Sequence, residues 1–575
     1  MRGAAADAGL LFFADFIFFS VLYYRWKAKG MDMEKRSAGR SGRMGQSNVF
    51  VNGKIFTSNP EQAVASAMAI KDGRIEWIGD DVEALSIEGT RIDLSGRRVL
   101  PGFIDAHLHP LFLANIARQV ACTAPRVHSI ADMIDELKKR QEAQTPGDWI
   151  EGWGYDEGKL AERRTPNRSD LDRVSTDSPI VVTRTCGHTV SVNSKALELA
   201  GIGKETVDPA GGKIDRDDRR EPTGILRESA RFLVLDLLPK QTMDEQAQLI
   251  AGLTDELFSY GITGITDLMA LTRPVDYVEL YKLARRKGLK QRTALYTIWS
   301  DARADDVLTN ETTDTTQPVF ISGIKLFADG SVSGRTAWVD PAYNGTDDEY
   351  GISTMETDEL LEAGEAAKQH GIQVAVHAMG EQAISQVVDA FHGQQAWLED
   401  APSIRIEHAA MPTADAMRKS GDANIAFVPQ PVFLFAEIES YLHNLGAERT
   451  KSTYPIQKMI GAGIPVAFSS DAPVNGWTEP LNPFVGIQAA VTRIAYDGTD
   501  TGQDERIGVE KAIELYTKSA QEITRIKDVG QLKPGFHADF IVMEEDILEM
   551  DEMEIGHARV LETYMAGERV YCRDE

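Results

Sequence analysis

Apolar runs of four to seven residues recur along this chain at 99–104, 180–185, 264–267, 321–327, 373–377, 404–408, 425–428 and 465–470. They lack the strict alternation of a sheet with one wet face, so they read as strands buried on both sides. Between them lie stretches with apolar residues at helical spacing, at 130–143, 243–260, 357–370 and 379–393. Buried strands alternating with amphipathic helices predict a parallel sheet covered by helices. Eight such strands suit an α/β fold, a (β/α)8 TIM barrel over residues 99–519. Residues 114–239 are the least regular part and predict an insertion over the barrel mouth.

The chain ends are patterned differently. Residues 47–57 alternate around Asn52-Gly53, and residues 67–79 around Asp72-Gly73, both hairpin signals. Residues 532–543 and 560–571 read as strand, turn, strand. Neither end is large enough to bury a core alone, so 47–98 and 520–575 are expected to pair into one small β-sandwich domain.

Composition adds limits. Apolar content of 42% is ample for a core, and the formal charge is −27. Such an acidic surface argues against nucleic acid, which needs Lys/Arg clusters, and fits an acid-rich or salt-adapted cytoplasm. The three cysteines, Cys122, Cys186 and Cys572, are too far apart for a disulfide framework or a CxxC metal site. A reducing compartment follows, with each thiol expected to be buried. Residues 10–24 are strongly apolar but shorter than a spanning helix, and Asp15 interrupts them. Three readings compete for residues 1–46: a membrane anchor, a poor signal peptide, or a start placed too early. The last is preferred, because Met31, Met33 and Met44 offer later starts. A membrane is expected as a partner only if that extension is genuine. A small-molecule substrate is expected, and a homodimer is compatible.

The chemistry lies at the strand ends. The first run leads into DAHLHP, which puts His107 and His109 on one face of a strand. Two imidazoles so spaced chelate a borderline metal such as zinc. Lys325 sits inside an apolar run, VAVH ends at His377, IEH ends at His408, and VAFSSD ends at Asp471. In a (β/α)8 barrel all these ends meet on one rim. Singly, each has a plainer role: a hydrogen-bonded core histidine, a turn aspartate, a lysine reaching out of the core. Together they form a ligand set for two metal ions. The histidines at 128, 370, 392, 443, 537 and 557 sit in helix or loop contexts and read as structural or exposed.

With these residues the chain resembles the amidohydrolase superfamily, in its family 3 branch, which includes N-substituted formamide deformylase-like proteins. The resemblance spans about residues 47–571. It rests on PGFIDAHLHP, GWGYDEG, TRTCGHTVSVNSKAL, EPTGILRE, GIKLFADGSVSGRTA, VAVHAMGEQAI, RIEHA and SSDAPV. It implies that His107 and His109 hold one metal and that His377 and His408 hold a second. A carbamylated Lys325 would bridge the two, and Asp471 would serve as ligand and general base. Zinc is the default ion, although iron and manganese also suit such ligands. The resemblance also brings in His188 as a catalytic candidate at the carbonyl oxygen or substrate rim, with a structural loop histidine as the alternative, and Tyr155, Asp156, Arg335 and Trp338 as pocket residues. Glu381 departs from the aspartate that the family commonly has there. The implied activity is hydrolysis of a non-peptide carbon–nitrogen bond, in an amide, formamide or cyclic amide, by metal-activated hydroxide. The alternatives are a deaminase or ester/lactone hydrolase on the same site, and a non-catalytic regulatory or binding descendant.

Overall fold

The computed structural model describes residues 47–573, apart from 124, 125, 186, 188, 210 and 211. The apolar run at 10–24, with its three readings, lies outside the described residues. Among the described residues no helix is long and apolar enough to cross a membrane.

Seven parallel strands form the central sheet: Phe103–Leu108, Ile262–Ala270, Arg292–Ile298, Val319–Phe327, Gln373–Ala378, Ile404–His408 and Ala426–Val428, in that spatial order. Helices such as Thr357–His370 and Glu381–Phe391 pack their apolar stripes against it. Thr357–His370 stops at Gly371, whose left-handed backbone (φ 62°) turns the chain into the next strand. This is the near-closed α/β barrel that the alternation predicts.

The eighth position is not a regular strand. Residues 465–472 lie between the last strand and the first, bridged at Phe427–Val466. On the other side, the Asp471 N–H donates to the His107 carbonyl at 2.8 Å, and the His109 N–H donates to Ala472 O at 2.8 Å. A side chain replaces one rung of the ladder, because Asp105 Oδ1 accepts from the Ser470 N–H at 3.0 Å.

Two predicted strands are placed differently. The run at 180–185 is not in the barrel. Its strand, Ile180–Arg184, belongs to a separate six-stranded sheet in the insertion, paired with Ile150–Tyr155 and Thr189–Val192. That insertion has its own core around Ile134, Leu137, Ile150 and Leu171. The barrel strand in its place is Arg292–Ile298, RTALYTI, whose arginine and threonines weaken the apolar signal.

The first run also divides. Arg98–Pro101 pairs in a terminal sheet, and Phe103–Leu108 begins the barrel. Gly102 makes the crossing possible: a Cβ there would lie 2.4 Å from Thr263 Oγ1. Residues 47–57 do not form the predicted hairpin. Asn48–Val51 joins a four-stranded sheet, while Lys54–Phe56 joins a six-stranded sheet with Phe540–Met543, Val560–Met565 and Glu568–Cys572. Residues 67–79 do form one, turning at Asp72 and Gly73, both at positive φ. Phe540 stacks on Tyr564 at 4.4 Å, and Phe50 meets both edge-on at 5.2 and 5.4 Å. Each such buried ring stabilises the junction of the chain ends by about 1.5–3 kcal/mol.

Of the three thiols expected to be buried, one is, one is not, and Cys186 lies outside the described residues. Cys122 is buried and Cys572 is exposed, on the last strand of its sheet. Burial pushes the Cys122 thiol up to about 12. At pH 8 only about one in ten thousand Cys122 side chains would be thiolate, the reactive form. Iodoacetamide at pH 8, followed by peptide mapping, should therefore alkylate Cys572 and spare Cys122; comparable labelling of both would contradict this burial.

Candidate metal centre

The rim is built from side chains that hold one another in fixed orientations. His107 Nδ1 lies 2.8 Å from Glu407 Oε2. A carboxylate only accepts, so Nδ1 carries the proton and the Nε2 lone pair is left for the rim. Glu407 is in turn gripped by Arg405, at 2.5 Å from Nε and 2.9 Å from Nη2. Arg405 also donates to Tyr296 Oη at 3.0 Å and to the Ala106 carbonyl at 2.7 Å. The whole Arg405–Glu407–His107 chain is buried. Burial and the nearby Lys325 charge hold the His107 imidazole well below its usual range, so it stays neutral.

His408 is fixed by a similar argument. The Gln430 amide donates to Val428 O and to Ser469 Oγ, both at 2.9 Å. Its oxygen therefore faces His408 Nδ1, at 2.8 Å, and accepts from it. Strand alternation alone would leave His408 on the face of Ile404 and Ile406, which pack in the main core. A left-handed backbone at His408 (φ 69°) and Ala409 (φ 45°) re-aims it to the rim. Asp471 is also left-handed, at φ 52°. Such residues cost about 1–3 kcal/mol each and persist where surrounding structure enforces them, often at functional sites.

Asp471 Oδ1 lies 3.0 Å from His109 Nε2 and 3.3 Å from His107 Nε2. One ligand atom each from His107, His408 and Asp471 falls within 4.8 Å of the other two. Ligand atoms around a tetrahedral zinc ion stand about 3.4 Å apart, so the spacing suits a divalent cation. The bonding pattern agrees. Among the described residues, Asp471 Oδ1, His109 Nδ1 and Lys325 Nζ are buried with no hydrogen-bond partner. Three orphaned polar atoms in one place are costly unless a ligand satisfies them. His109 Nδ1 looks toward Asp267, 4.0 Å away, a carboxylate held by the Tyr281 hydroxyl at 2.7 Å. Lys325 is almost fully buried, and burial pulls its amine down to about 8. His377 stands beside His408, with ring centres 4.4 Å apart, and its Nε2 is 2.9 Å from the Gly330 carbonyl.

The expected pocket residues are more scattered. Tyr155 is buried in the insertion's core, where its hydroxyl accepts from Ser191. Asp156 lies 3.6 Å from Arg184 at the ends of the insertion strands. Arg335 turns toward the 343–349 loop, donating to Asn344 O and lying over Tyr343. The Trp338 N–H donates to Asp329, which also accepts from Met379 and Gly380 and so ties two rim loops together. Glu381 forks onto Arg449. His188 lies outside the described residues. A cavity of about 260 Å³ lined by Glu399, Asp400, Asn424 and Val466 opens at the opposite, N-terminal strand ends, away from the end where sites in this fold lie.

Sequence reasoning passed over Arg405, Glu407, Gln430 and Asp267. The signal for two of them was present: in RIEH, Arg405 and Glu407 share a strand face inside the barrel, an unusual place for charges unless they pair.

A parallel α/β barrel with histidines and a buried carboxylate on its C-terminal rim defines a metal-dependent hydrolase. The chain belongs to the amidohydrolase family, whose sequence profile matches residues 90–571. It is 30% identical to the protein LONG AFTER FAR-RED 3 of Arabidopsis thaliana, over 91% of each chain. It is 26% identical to the N-substituted formamide deformylase of Arthrobacter pascens, over 91% of this chain and 98% of that one. Among solved structures, a metal-dependent hydrolase from Pyrococcus horikoshii OT3 superposes with a TM-score of 0.71 at 26% identity, covering 88% of this chain and 99% of the other.

Proposed function

We propose that this protein hydrolyses a non-peptide carbon–nitrogen bond of a small molecule, in an amide, formamide or cyclic amide. The observation that carries the reading is the cluster of ligand atoms from His107, His408 and Asp471 at one rim, with Asp471 Oδ1 and the nearby Lys325 Nζ buried and without a hydrogen-bond partner. His107, His109, His377, His408 and Asp471 would hold one or two divalent ions, zinc by default. A bound ion of this kind supplies an acidified water and polarises a carbonyl. Lys325 would join the set after carbamylation. Its amine, lowered toward neutrality, attacks carbon dioxide, loses a proton and becomes an anionic carbamate. That converts a side chain whose ordinary ammonium form has no lone pair to offer into an anionic ligand. Asp471 would accept the proton of the attacking water and return it to the leaving nitrogen. The similarity to a formamide deformylase supports the bond type. We read the terminal sheets, Arg98–Pro101 included, as one composite β-sandwich domain and residues 103–519 as the hydrolase barrel with its insertion.

The experiment joins metal analysis to a substrate panel. Protein loaded with zinc should carry one or two ions per chain and hydrolyse at least one class among N-substituted formamides, amides and cyclic amides. Loss of metal in His107→Ala should accompany loss of turnover. Turnover only of esters or aminated heterocycles would replace the reading, and bound metal with no turnover would favour a binding protein.

A further inference from the structure

Beyond the rim atoms, one carboxylate in the barrel mouth has no use. Glu437 follows the helix Pro431–Ala436, which starts directly after Gln430, the residue that orients His408. Phe433 of that helix stacks on the His408 ring at 5.9 Å. Glu437 is partly buried, yet among the described residues its carboxylate accepts no hydrogen bond and forms no ion pair. Its side chain lies against Gly476, which the position of a Cβ there makes plain: Oε1 would be 3.1 Å away.

Its surroundings place it in the mouth. The charges that act on it come from Lys159, Asp156 and Arg184 on the insertion side and from Asp471 on the rim side. The two cations already have partners: Lys159 Nζ donates to the Ala436 carbonyl at 2.8 Å, and Arg184 donates to Glu157 at 2.9 Å. Burial, the largest influence, pushes the Glu437 carboxyl up to about 7, the cost of a carboxylate with no donor. Beside it runs an aromatic row. Phe435 meets Trp477 at 5.0 Å and Trp477 meets Tyr496 at 5.9 Å, with Tyr496 42% exposed. The Tyr496 ring already faces Lys159 Nζ, 5.4 Å from its centre, so the aromatic surface left beside the unpaired carboxylate is that of half-buried Trp477. A carboxylate beside such a ring is the chemistry that receives an organic cation.

We propose that Glu437 is a specificity-determining residue, and that with Trp477 it receives a protonated amine on the part of the substrate remote from the scissile bond. The inference rests on the hydrolase reading for the word substrate, but the binding it asserts does not depend on turnover.

The test uses zinc-loaded full-length protein and two readouts. In the first, calorimetric titration compares benzylammonium, benzyl alcohol and benzoate as probes of one shape. Wild type should bind benzylammonium about tenfold more tightly than benzyl alcohol. Glu437→Gln should bring that ratio near one, and Glu437→Asp, which keeps the charge, should retain part of it. In the second, N-benzylformamides bearing aminomethyl, methyl or carboxylate at the para position are compared by kcat/KM. The cationic-to-neutral ratio should fall about tenfold in Glu437→Gln. An equal preference in wild type and Glu437→Gln overturns the proposal, as does tighter binding of benzoate, which would assign the mouth to Lys159 and Arg184. A cation preference that depends on Glu437 with no formamide hydrolysed supports the proposal while refuting the proposed reaction.

Discussion

Asp471→Asn is expected to lower kcat/KM by about 10²–10⁴, the usual contribution of a positioned general base. The amide keeps the shape of the carboxylate but takes up no proton, and it removes an anionic ligand from a site otherwise built on imidazoles. The backbone should hold: the 471 N–H still donates to His107 O, and asparagine tolerates the left-handed φ of 52° as well as aspartate does. Metal content separates the two losses. If the ion stays bound and rate falls, the proton role is primary; if both fall together, ligation dominates. A decrease smaller than about fivefold, with metal retained, would remove Asp471 from the chemistry.

The largest stability effect is expected at Arg405→Met. Arg405 and Glu407 have fully buried side chains, and Arg405 makes four of the hydrogen bonds at the barrel centre. Methionine fills much of the volume but leaves Glu407 charged, dry and held only by His107. Removing one partner of a buried ion pair costs about 3–5 kcal/mol, because the survivor keeps its desolvation penalty. Urea unfolding followed by tryptophan fluorescence measures the loss. Arg405→Met/Glu407→Gln should recover part of it by removing the stranded charge. A single variant within about 1 kcal/mol of wild type would show that this pair is solvated in solution. Zinc affinity should fall as well, since His107 loses the clamp that fixes its ring.

The two sites differ in how far the sequence foretold them. His107, His109, His377, His408 and Asp471 stood out because scarce, chemically able residues ended apolar runs. Arg405 and Glu407 lie within the same tetrapeptide as His408, but their worth appears only when Tyr296, Ala106 and His107 are brought in from other strands. Glu437 had no signal at all, since a glutamate after an apolar helix is ordinarily solvated. Only the insertion folding over the mouth, with Lys159 reaching the Ala436 carbonyl, makes its position unusual.

The local pattern by itself determined the alternation of strand and helix, the barrel class and the residues at the rim. These are properties of single segments: an apolar run must be buried, and a polar residue at its end must face a rim or a partner. Tertiary structure decided which runs share a sheet. Ile180–Arg184 and Arg292–Ile298 are both buried strands, and periodicity records burial without naming the neighbour. The division at Gly102 and the irregular closure at 465–472 were decided the same way, by a close approach to Thr263 and by the Asp105 carboxylate taking the place of a backbone acceptor. Pairing of that kind depends on shape and hydrogen bonding between segments hundreds of residues apart, which no local window contains.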